Sequence, residues 1–122
     1  MEKIKIYINE MVKVCEDRKA EMQEHFANYL FEDFLSTKAE KCHKNEMFLS
    51  FYKTIQSSLD EVTKVDLAEY LVNEKEKYVN SRLKDNPINF STNPMTNLVR
   101  LWNFEVYAEL IKHIDTILLR YF

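Results

Sequence analysis

Apolar residues recur along the start of the chain in two competing rhythms. In KIKIYIN, residues 3–9, Ile4, Ile6 and Ile8 alternate with Lys3, Lys5 and Tyr7, the pattern of a half-buried strand. The same isoleucines open a longer series, Ile4, Ile8, Met11, Cys15, Met22, Phe26 and Tyr29, spaced as one face of a helix. The alternation stops at Asn9, whereas the helical series runs on for about seven turns. A strand at 3–8 would need a partner, and TILLRYF at residues 116–122 is the comparable segment. A two-stranded ribbon between them is marginal on its own. We therefore expect a first helix over residues 2–35, with any bend or break in the charged stretch 16–21.

Further along, STKAE places Thr37 three residues before Glu40, the spacing of a capping box. The helix it opens has an apolar stripe of Met47, Phe48, Phe51, Tyr52, Ile55 and Leu59. SSLDEVTKVD carries two more such signals, Ser58 with Glu61 and Thr63 with Asp66, so a third helix is expected there. Its predicted buried side is Val65, Ala68, Val72, Val79 and Leu83, joined by Leu71 and Tyr78. Pro87 and Pro94 exclude helix from the residues just before them, and Asn93–Pro94 forms a start signal for a fourth helix. From Met95 onward apolar residues occupy most of the circumference, leaving a narrow polar strip of Glu105, Glu109, Lys112 and Thr116. A helix of that kind is buried in its own domain or against a partner. In the connector between the prolines, Ile88 and Phe90 are candidates to tuck into the core.

Composition supports the helical reading. The chain of 122 residues contains no glycine, so the tight hairpin turns and phosphate-cradling loops that rely on it are not expected. Hydrophobic residues make up 46%, enough for a core and too many for a disordered chain. The expected fold is an all-α, single-domain helical bundle of about four helices over residues 1–122. The alternative is α+β, with a small ribbon formed by the termini.

Charge narrows the function classes. Seventeen basic and 20 acidic residues give a net charge of −3, so no global field holds a nucleic-acid backbone or a membrane surface. Two cysteines, Cys15 and Cys42, are too few for a disulfide framework or zinc site. The start MEKIKIYINE is too charged for a signal peptide, and no apolar run reaches membrane-spanning length. The expected setting is cytoplasmic, in the producing or host cell.

Candidate chemistry is sparse. Glu105, Glu109 and His113 fall on one helical face and could ligate a metal, but no second helix supplies a matching set. Cys42–His43 sets a thiol beside a base, although helical neighbours diverge by about 100°. We expect no catalytic residues, cofactor or metal. Lys38, Lys41, His43 and Lys44 form the one local basic cluster, able to meet an acidic or phosphate partner. Glu24, Glu32 and Asp33 provide acidic patches, and Phe31 and Leu35 fall off the main apolar stripe as candidate contact residues. These nine residues are the expected partner-binding set.

Arg18 and His25, an R-x6-H pair within a helical segment, resemble the motif of the HEPN ribonucleases, small helical domains in which Arg and His cleave RNA together. The resemblance implies a ribonuclease using those two residues. The small, mildly acidic, motif-poor profile is similar to that of anti-CRISPR, immunity and antitoxin proteins carried by phages and mobile elements. That likeness implies a non-catalytic inhibitor of a protein target, for example a nucleic-acid-processing enzyme, with homodimer formation as an added possibility. We favour this reading. A small helical nucleic-acid-binding regulator using the basic cluster is the second, and the ribonuclease the third.

Overall fold

The computed structural model of the chain describes residues 1–26, 33–34, 38–86, 91 and 93–122, with backbone alone for residues 25 and 26. The fold is all-α: four long helices and no strand among the described residues. They are α1 (Glu2–Phe26), α2 (Ala39–Ser58), α3 (Lys64–Lys84) and α4 (Pro94–Tyr121). The chain divides into two compact units, Met1–Glu61 with α1 and α2, and Val62–Phe122 with α3 and α4.

The opening ambiguity resolves as helix. Ile4 and Ile8 are fully buried, whereas Ile6 is 57% exposed, as a helical and not an alternating pattern requires. Val12 and Cys15 complete this buried side, with Val12 taking the place expected of Met11, which is only half-buried. α1 runs unbroken through residues 16–21, because Glu, Arg, Lys and Ala are good helix formers and neither Pro nor Gly interrupts them. α1 spans Glu2–Phe26; of the expected continuation to residue 35, Tyr29, Phe31, Glu32 and Leu35 lie outside the described residues.

In the first unit α2 runs antiparallel to α1. Lys5 pairs with Asp60 at 3.0 Å, Gln56 donates to Asn9 Oδ1 at 2.9 Å, and Lys19 pairs with Glu46 at 3.0 Å. The buried side of α2 is Asn45, Leu49, Phe51, Tyr52 and Ile55, with Leu59 just beyond its end. Met47 and Phe48, expected on that stripe, are half-buried. Tyr52 meets Tyr7 and Phe51 edge-on, with ring centroids 6.3 and 5.0 Å away. Burial, helped by a hydrogen bond with Tyr7, holds the Tyr52 hydroxyl well above the usual tyrosine range. The N-cap of α2 is Lys38, which makes no side-chain cap; Thr37, the expected cap, lies outside the described residues, and Glu40 instead pairs with Lys44 at 3.0 Å.

The second unit begins with a complete capping box. Asp66 N–H donates to Thr63 Oγ1 at 3.1 Å, and Thr63 N–H donates to Asp66 Oδ2 at 3.3 Å. The other candidate, Ser58, is the last residue of α2. α4 starts as expected: Asn93 Oδ1 accepts from the N–H of Met95 and Thr96, with Pro94 in the first turn. α3 and α4 run antiparallel, tied by the Tyr78–Tyr107 stack at 5.4 Å, Lys75–Asp115 at 2.7 Å, and Arg82, whose Nε donates to the Phe104 carbonyl at 3.0 Å while its guanidinium lies 4.1 Å over that ring. Trp102, Val106, Leu110, Ile114 and Ile117 form the buried side of α4, and Glu105, Glu109 and Lys112 of the expected polar strip are exposed. Ile88 and Phe90 lie outside the described residues.

The buried side of α3 differs from expectation. Leu67 and Leu71 are buried, Tyr78 is half-buried, and Val65, Val72, Val79 and Leu83 are 75%, 52%, 44% and 67% exposed. The helix has two apolar faces about 125° apart at 3.6 residues per turn. The face that packs carries Leu and Tyr, which remove more area from water than Val, and it gains the ring stack on Tyr107.

Candidate functional site

The predicted partner-binding residues fall mostly at one end of the first unit. Glu24 is exposed near the end of α1, Asp33 is exposed, Lys38 is half-buried at the α2 cap, and Lys41, His43 and Lys44 follow on the first turns of α2. Phe31, Glu32 and Leu35 lie outside the described residues. Lys41 is exposed, while His43 and Lys44 are half-buried. Arg18 is exposed on α1; the side chain of His25 lies outside the described residues, so the R-x6-H pairing has no described geometry.

Beside the basic residues, the structure reveals an open cleft of about 260 Å³ between α1 and α2. Its walls are Arg18 and Met22 from α1 with Lys41, Lys44, Asn45 and Phe48 from α2. An adjoining cavity of about 160 Å³ shares Arg18, Met22 and Lys41 and adds Glu21, Lys38 and Cys42. Spacing along the chain gave no sign of this cleft, since its two walls come from segments some twenty residues apart and meet only through the antiparallel pairing of the helices. Asn45 is 5% exposed; its Nδ2 donates to the Cys15 carbonyl at 2.9 Å, and its Oδ1 has no partner.

Cys42 Sγ lies 3.3 Å from Met22 Sδ, and burial pushes its thiol upward, with Glu46 adding to the shift. A raised thiol is a poor nucleophile at neutral pH. His113 is half-buried, and desolvation lowers its pKa against the opposing pull of Glu109. Glu105 and Glu109 are exposed, and among the described residues no group of three His, Cys, Asp or Glu side chains could hold a metal. No helix among those residues is long and apolar enough to cross a membrane.

A second surface lies on α3, formed by residues whose spacing predicts a core face. Val65, Glu69, Val72, Glu76, Val79 and Leu83 follow one another at spacings of four and three, which confines them to an arc of about 80°. All six are exposed. Neither Glu69 nor Glu76 has an ion-pair partner among the described residues. Apolar and acidic side chains thus alternate along one open stripe.

Comparison with known proteins adds no relative: no family model, curated protein or solved structure matches this chain.

Proposed function

We propose that this protein is a binding-only inhibitor or immunity-type protein, which acts by occupying the surface of a protein partner and catalyses no reaction. The observation that supports this is the exposed stripe of α3, with Val65, Val72, Val79 and Leu83 interleaved by Glu69 and Glu76. A helix face of this spacing suits a hydrophobic groove. Its two carboxylates suit a groove bordered by basic side chains, as in an enzyme that handles a nucleic-acid backbone. An antiparallel pairing of the stripe with a second copy would set Glu69 against Glu76, so charge favours a basic partner over self-association. The profile, similar to that of small inhibitors of phages and mobile elements, fits the same reading.

The test compares wild type with Val72→Lys, an exposed change expected to leave the circular dichroism and melting temperature unaltered. Affinity capture followed by titration of the captured nucleic-acid-processing enzyme should show binding weakened at least tenfold, the scale of an interfacial anchor. Equal binding by the two proteins, or a dimer by native mass that the variant abolishes, would overturn the proposal.

A further inference from the structure

The cleft of the first unit collects positive charge in a protein whose net charge is negative. Arg18, Lys41 and Lys44 line it, and no carboxylate does. Neighbouring lysines are neutralised locally, Lys19 by Glu46 and Lys53 by Glu16. Lys44 is held by Glu40, but Arg18 and Lys41 have no ion-pair partner among the described residues. Two uncompensated cations and a third nearby describe a receptor for a doubly charged anion, and guanidinium and ammonium together suit phosphate.

The remaining walls say what the anion is attached to. Met22 and Phe48 present apolar surface, one of them a flat ring on which a planar group can stack. The volume, about 260 Å³, falls below the roughly 300–1,000 Å³ usual for small-molecule sites, which limits the occupant to one ring system and one anionic group. We propose that this cleft binds a small phosphate monoester of a planar aromatic group, with the phosphate on Arg18 and Lys41 and the ring against Phe48 and Met22.

Isothermal titration of the full chain with adenosine 5′-monophosphate, phenyl phosphate, inorganic phosphate and adenosine tests each part. Adenosine monophosphate should bind saturably and more weakly as salt rises, because the charges are exposed. Phenyl phosphate, which keeps both the planar ring and the dianion, should also bind saturably, and inorganic phosphate and adenosine should bind at least tenfold less tightly than adenosine monophosphate. Arg18→Gln with Lys41→Gln should weaken adenosine monophosphate at least tenfold without changing the melting temperature, since both side chains are exposed. Phe48→Leu should bring adenosine monophosphate closer to inorganic phosphate. Absence of saturable binding, equal affinity for all four probes, or an unaffected double variant would overturn the assignment. Val72→Lys lies on the other unit and should leave this binding intact, which separates it from the docking role of α3.

Discussion

Asn45 holds two helices together with one half of its amide and leaves the other half unanswered. Its Nδ2 bridges to the Cys15 carbonyl of α1, worth about 1 kcal/mol net, while the unpartnered buried Oδ1 costs a comparable amount. Asn45→Leu, which removes both at similar volume, should therefore stay within about 1 kcal/mol of wild type in urea unfolding. Asn45→Ala also opens a void and should cost roughly 2 kcal/mol. His113 offers a pH-dependent counterpart. Burial lowers its folded-state pKa below the ordinary 6.5, so between those two values the unfolded chain binds more protons. The stabilisation is complete above the ordinary value and is lost as pH falls through the lowered one. Melting temperatures measured downward from pH 7.5 should fall by less in His113→Gln than in wild type.

At the scale of the helix, α3 gives the sharpest contrast. Leu71→Ala, at a site with no exposure, should cost about 2–4 kcal/mol, whereas Val72→Ala, one residue on, should change stability by less than about 0.5 kcal/mol. Thr63→Ala breaks the capping box and should cost about 1 kcal/mol. Equilibrium unfolding of the three variants checks which face packs. The ends of α3 and α4 were readable in the sequence because Thr63, Asp66, Asn93 and Pro94 act through bonds and sterics local to a few residues. The helical reading of residues 3–8 was readable because its period extends far beyond them. The packed face of α3 was not, since periodicity marks an apolar face without saying which of two faces finds a partner. The cleft was hidden for a related reason: Arg18 and Lys41 become neighbours only when α1 and α2 pair.

Across the whole molecule, charge and apolar surface are distributed unevenly. The cation-lined cleft belongs to the first unit and the acidic, valine-rich stripe to the second, so a single net value of −3 conceals two surfaces of opposite preference. The paired helices of each unit are neighbours along the chain, and the residues that join them lie within about sixty positions of one another. Among the described residues no backbone angle is of the left-handed kind, so a chain without glycine meets no conformational penalty there. Search is correspondingly short. Stopped-flow dilution from denaturant should return native fluorescence from Trp102 within milliseconds, the pace of proteins built from local contacts. During synthesis, α1 and α2 would already be able to meet while the remainder is still being made, leaving little time for half-finished chains to find one another.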